Sequence, residues 1–234
     1  MDIQTRRALK GDKFTQAAAS SASWVGEHSA TVVRWAITAG AILVVVIGGL
    51  IFWNVRSSAA DAALGAALDV YTTPLQQPGA PSEPGVYATE ADRAKEANRE
   101  FVAVAHDYSM LPEAAKAHYF AGVTYEELGQ NGQAEAELKT ASHSWDRNVA
   151  NLAKVALAGL YRQTSRNDEA IALYNEIIAK PSITVSAPVA QLDLADLYAS
   201  EGKQDQARNL WAKIKDADKE GAAGSIAAEK LAAK

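Results

Sequence analysis

Three regimes of apolar spacing divide this chain of 234 residues. The first is a solid block. From Trp35 to Trp53, nineteen residues carry no charge, and a tryptophan stands at each end. A helix of that length rises roughly 28 Å, close to the hydrocarbon thickness of a bilayer. Arg34 and Arg56 flank the block, where long cationic side chains reach lipid headgroups. Trp35 and Trp53 stand where an amphipathic ring prefers the membrane interface. The pattern predicts a transmembrane helix over residues 35–56. A cleavable signal peptide is the competing reading, with Ser57, Ser58, Ala59 and Ala60 as a conceivable cleavage site. Such a peptide has an apolar core of about 7–15 residues behind a short basic segment. Here the core is longer and starts only after 34 residues. Ala36 and Gly40 form a small-xxx-small step, which can pair helices and also arises by chance.

The second regime, residues 57–88, is mixed. Ser58 to Tyr71 is Ala-rich with Leu64, Leu68 and Val70, which predicts a helix continuing out of the span. TTPLQQPGAPSEPGVY follows, holding four of the seven prolines (Pro74, Pro78, Pro81 and Pro84) with Gly79 and Gly85. Proline removes a backbone donor and fixes φ, so this stretch is a loop.

From Thr89 onward apolar positions recur at helical spacing, with glycines marking turns. A period emerges when the segments are aligned on tyrosines. Tyr125, Tyr161 and Tyr198 lie 36 and 37 residues apart. Each has a small residue three positions before it (Gly122, Ala158, Ala195) and an alanine nine after it (Ala134, Ala170, Ala207). A bulky side chain follows each alanine by four (Leu138, Tyr174, Trp211). Gly129, Ser165 and Gly202 occupy the turn position four after the tyrosine. Two short antiparallel helices approach closely only where small side chains face each other, and larger ones fill the space around the crossing. One hairpin cannot bury its apolar face, so copies stack.

This pattern resembles the tetratricopeptide repeat, whose usual period is 34. The tryptophan usual early in the first helix is replaced by His118, Lys154 and Gln191, and the closing proline is clear only at Pro181. A degenerate copy precedes the three. Ala97, Phe101 and Val104 match its second helix, Ala59 to Tyr71 its first, and the Pro-rich segment is an enlarged turn. The tail Ser225 to Lys234 reads as a capping helix with Ser225 as N-cap. The fold class is therefore all-α: one transmembrane helix, then a tetratricopeptide-like α-solenoid of about three to four helical hairpins. The domains follow as tail 1–34, span 35–56, membrane-proximal helix and loop 57–88, repeats 89–224 and cap 225–234. The tail is read as mostly flexible, with a short helix near Thr5 to Phe14.

Charge sets the topology. Arg6, Arg7, Lys10, Lys13 and Arg34 precede the span, and after Arg56 no Lys or Arg occurs until Arg93. The basic side stays in the cytoplasm, so the C-terminal part is exported. Residues 57–234 carry 17 Lys/Arg against 25 Asp/Glu, a net charge of −8. An acidic array argues against nucleic acid, which needs a basic footprint. The absence of cysteine removes disulfides, thiolate chemistry and a lipidated-cysteine anchor.

Catalytic patterns are missing. His28, His106, His118 and His143 show no ligand spacing, and His118 falls at a packing position. Glu126-Glu127 and Asp168-Glu169 read as solvated helix ends. No P-loop, dinucleotide glycine pattern or nucleophile elbow occurs. The chain is therefore read as a non-enzyme, without cofactor, metal or small-molecule substrate.

The resemblance implies a concave groove lined by the first helices. By register its positions are Lys116, Tyr119, Val123 and Glu127, then Leu152, Val155 and Arg162, then Val189, Leu192 and Asp196. Several are more apolar than a solvated face needs; a register error of one, or cover by the capping helix, would make them core. The basic-and-Asn clamp by which some such arrays hold a C-terminal carboxylate is not matched, since its positions carry Tyr119, Val123 and Ala156.

Over nearly the whole chain the layout resembles the single-pass tetratricopeptide-like family that includes the ancillary subunit of the bacterial Sec translocon. QTRRALKGDKF, upstream of the span, is similar to that family's N-terminus. The resemblance implies an inner-membrane protein whose periplasmic array meets translocon subunits, periplasmic chaperones or exported chains. The alternative is an adaptor for envelope assembly, serving division, peptidoglycan or outer-membrane machinery through the same groove.

Overall fold

The computed structural model describes residues 29–77 and 85–233. The expected helix near Thr5 to Phe14 and the middle of the Pro-rich loop lie outside the described residues. The chain divides into two units, residues 1–55 and 56–234. Nine α-helices occur among the described residues: α1 Ser29–Thr72, α2 Glu90–Asp107, α3 Pro112–Glu127, α4 Asn131–Ser142, α5 Arg147–Gln163, α6 Asn167–Ala179, α7 Ala187–Ser200, α8 Gln204–Ala217 and α9 Ala222–Ala232.

In the first unit, α1 is long and apolar enough to cross a membrane. Its large side chains from Val33 to Val55 touch no protein core; Trp35 and Trp53 are exposed. The helix does not stop at Arg56 but runs on to Thr72.

The second unit begins where α1 acquires a buried face. Ala60, Leu64 and Ala67 are spaced four and three residues apart, one stripe of a helix, and all are buried. Leu64 and Ala67 pack with Ala97, Phe101 and Val104 of α2 and with Ala117 and Ala121 of α3. Phe101 and Phe120 stack with centroids 5.1 Å apart, and Tyr71 meets both at 6.1 Å. The degenerate first hairpin therefore consists of the end of α1 and α2. Its enlarged turn is tied at the base, where Gln76 N–H donates to Tyr87 O (2.9 Å) and Leu75 bridges to Tyr87.

The three regular hairpins are α3–α4, α5–α6 and α7–α8. The small residues at the crossings are buried without exception among Ala134, Ala158, Ala170, Ala195 and Ala207. Leu138 and Tyr174 fill the space beside them in one cluster, and Trp211 does so in the next. All three turns close in the same way. The amide five residues after the tyrosine bonds back to its carbonyl: Gln130 to Tyr125 (2.8 Å), Arg166 to Tyr161 (2.7 Å), Lys203 to Tyr198 (2.9 Å). This helix ending requires a left-handed residue, and Gly129 (φ 71°), Ser165 (φ 60°) and Gly202 (φ 76°) supply it.

The capping helix differs from expectation at its start. It begins at Ala222, with Gly221 at the N-cap. Ser225 lies inside the first turn, where its hydroxyl donates to Gly221 O (3.1 Å) instead of capping a free amide. The earlier start is paired with Asp218, whose carboxylate accepts from Gly224 N–H at 3.1 Å. Ala223 and Ala227 then close the C-terminal core over Leu192, Ala195 and Trp211.

Candidate functional site

The positions marked by the repeat register lie on α3, α5 and α7. Tyr119, Leu152 and Val155 are half-buried and rest against the central core. Tyr119 also meets Phe120 edge-on at 5.0 Å. Burial pushes its phenol pKa up, with the nearby Glu126 carboxylate adding to it. Lys116 and Val123 are half-buried, and Glu127 is exposed. Glu127 accepts a 2.6 Å hydrogen bond from Tyr71 O–H, which joins the degenerate hairpin to the first regular one. Burial, reinforced by that bond, pushes the Tyr71 phenol up to about 12.

Farther along, Arg162 sits beside Tyr174 and Asp193. Burial raises both of those groups above their usual ranges, and the guanidinium works against it. Arg162, Gly159, Gln163 and Asn167 line a depression of about 450 Å³, closed on the other side by Leu197 and Ser200 of α7. Gln163 Nε2 donates to Glu126 Oε1 at 2.6 Å, linking α5 to α3. Val189 is exposed, and Asp196 pairs with Lys230 of α9 at 3.0 Å.

Leu192 is the one groove position that must be withdrawn. It is buried with Ala223 and Ala227 of α9 and with Trp211. The last stacked helix occupies the place that a further repeat would fill, so the end of the face is covered.

Gly159, Gln163, Asn167 and Ser200 were absent from the predicted set. Two of them were accessible by register: Gln163 and Ser200 stand two residues after Tyr161 and Tyr198, as Glu127 stands after Tyr125. Asn167 belongs to the second helix of its hairpin, and its place here comes from a bond to Glu201 (2.9 Å) that no local pattern announces.

The polar residues outside this face serve the packing. His118 Nδ1 contacts Glu137 Oε2 at 2.5 Å across the α3–α4 hairpin. Asn98 Nδ2 donates to Thr124 Oγ1 (2.9 Å) and Ala121 O (3.1 Å) at the α2–α3 contact. Glu135 takes hydrogen bonds from Arg166 (2.6 Å) and Tyr161 (3.2 Å) and an ion pair from Lys139 (2.6 Å). Among the described residues no group of three or more His, Asp or Glu is arranged to hold a metal ion.

The stacked hairpins, each closed by the same turn, define a helical repeat protein. Residues 33–233 match the family model of the tetratricopeptide repeat-like domain, and the chain belongs to that family. Among solved structures it is similar to a Podosopora anserina protein described as a kinesin light chain with nearly identical TPR-like repeats. The TM-score is 0.55 at 14 % identity, over 75 % of this chain and 84 % of that one. A point variant of the same protein gives 0.55 at 15 % identity, with the same coverage. At that identity the likeness concerns the fold. No curated protein matches the sequence.

Proposed function

We propose that this protein is a membrane-anchored scaffold that holds segments of other proteins against the face of α3, α5 and α7. The observation that carries this reading is the half-buried stripe of Tyr119, Leu152 and Val155 leading to the depression beside Arg162. Repeat folds of this kind are typically non-catalytic interaction scaffolds, and the face offers apolar contact with polar edges rather than a converging set of acids, bases and nucleophiles. Extended or helical segments gain affinity on such a face from a few buried anchors inside a polar rim.

In this reading α1 spans the bacterial inner membrane once. The basic residues before it hold the N-terminus in the cytoplasm, and the acidic array works in the periplasm. The resemblance of the whole layout to the ancillary Sec translocon subunit family supports translocon subunits, periplasmic chaperones and emerging chains as partners. Site-specific photocrosslinkers at Tyr119, Val123, Arg162 and Val189 test it in intact cells. Capture of translocon subunits or chaperones is the expected result. Capture of division, peptidoglycan or outer-membrane assembly enzymes would move the protein to envelope assembly, and capture of nothing from any of the four positions would remove the face as a binding site.

A further inference from the structure

The array has two edges, and they differ in kind. One edge carries the turns inside each hairpin: Gly129-Gln130-Asn131, Ser165-Arg166-Asn167 and Gly202-Lys203-Gln204. Every residue there is glycine or polar. The other edge carries the turns between hairpins, and each of the first three turns presents one large apolar side chain. Met110 is 87 % exposed, Trp145 81 % and Ile183 96 %. Such exposure rules out a part in the core. Only Val189 and Ile226 among the array's other large apolar residues in the described chain are comparably open, at 45 % and 44 %.

A further observation gives this edge a direction. Arg56, the first residue of the array, donates from Nη2 to Asp107 O at 2.6 Å and lies 5.0 Å over the Tyr108 ring. The chain therefore leaves for its apolar segment from the between-hairpin edge, beside the turn that bears Met110.

We propose that the between-hairpin edge rests on the outer surface of the bilayer that α1 crosses, with Met110, Trp145 and Ile183 entering the headgroup region. The inference rests on the span proposed above. Tryptophan and long aliphatic side chains partition favourably into that interface. Three side chains would be too few to recruit a free protein, but a tethered one meets lipid at high effective concentration. The consequence is that the scaffold lies along the membrane, with its binding face held at a fixed height near the exit of whatever partner it serves.

The test uses the full chain reconstituted in nanodiscs of phosphatidylcholine and phosphatidylglycerol. The protein has no cysteine, so single-cysteine variants take one bimane label each. W145C and I183C report the proposed edge, Q133C and Q206C the opposite one, and V45C the span. With lipids carrying a nitroxide near the headgroup, labels at the first pair are expected to be quenched about twofold more than those at the second. Quenching of V45C by a nitroxide deep in the acyl chain checks the span itself. If V45C is not quenched, the span reading fails and takes this inference with it. If V45C is quenched while W145C and I183C match Q133C and Q206C, the span stands and the docked edge is overturned. Labels at the edge that escape lipid quenching yet are shielded from aqueous iodide would mean a protein, or a second copy, covers the edge, and that too overturns it.

Discussion

Gly122 lies against Leu138 so closely that a Cβ built on it would stand 2.5 Å from Leu138 Cγ and 3.2 Å from the Leu138 backbone nitrogen. The first residue is the small position of the α3 crossing and the second the bulky filler of α4, so the contact is the repeat pattern seen at atomic scale. Gly122→Ala sets two effects against each other. Alanine gains up to about 1 kcal/mol of helix propensity over glycine. Overpacking a filled core costs typically about 1–3 kcal/mol. Leu138 is wholly buried and has nowhere to move, so the steric term wins. The expected outcome is a lower midpoint in urea by roughly 1–2 kcal/mol of stability. A rise in midpoint would show that the α3–α4 crossing is looser than the structure has it.

Ser165 supplies the opposite case. It holds φ at 60°, the left-handed region, at a turn position where the equivalent residues are Gly129 and Gly202. A residue with a Cβ is strained there by roughly 1–2 kcal/mol. Ser165→Gly should relieve part of that strain and stabilise the array by about 0.5–1 kcal/mol after the larger entropy of the glycine chain is counted. Ser165→Val should destabilise it, because branching at Cβ worsens the same clash. Thermal unfolding of the two variants against the parent measures both signs.

Glu135 makes stability depend on acid. The Arg166 hydrogen bond first, then that of Lys139, pulls its carboxyl pKa from 4.5 to about 2. The folded value is the lower one, so the native state binds the proton more weakly than the unfolded chain. The contribution is complete above pH 5 or so and is lost as pH falls toward about 2. Its size is modest, about 1 kcal/mol, because Glu135 keeps 22 % of its side-chain surface and Arg166 35 % in water. Glu135→Gln should lower stability by that amount at pH 7 and flatten the acid limb of the stability curve between roughly pH 5 and 3. An unchanged acid limb would mean that other carboxylates carry it.

The repeat was legible because three constraints recur at fixed spacing: a small residue at a crossing, a tyrosine, and a left-handed turn. Each reflects backbone geometry that tolerates few side chains. Ser165 was readable as a turn only by analogy with its two glycine counterparts, since serine has no general preference for positive φ. The apolar block of α1 was plain from composition, yet its continuation to Thr72 depended on alanine, which suits a helix in either environment. The capping helix was misread at its start because Ser225 looks like a cap, whereas the cap position falls on Gly221 and the polar bond comes from Asp218. The face itself was legible only in part. Register marks positions that point the same way, but it does not say where the stack ends, and that end decides the fate of Leu192.

Leu192 and Val189 sit one turn apart on α7 and turn that difference into a measurement. Leu192 is 9 % exposed under α9, while Val189 is 45 % exposed on the same helix. Leu192→Ser removes a buried isobutyl group and leaves a hydroxyl among Ala223, Ala227 and Trp211. By analogy with large-to-small core changes this should cost about 2–4 kcal/mol. Val189→Ser should leave the melting curve within about 0.5 kcal/mol of the parent, as surface changes usually do. Tyr119→Ser and Leu152→Ser, both half-buried, should fall between these limits. If partner capture depends on the face, it should fall for Val189→Ser at unchanged stability, and for Leu192→Ser only in proportion to unfolding. A Leu192→Ser protein that melts like the parent yet loses its partner would return Leu192 to the binding surface and require α9 to move aside.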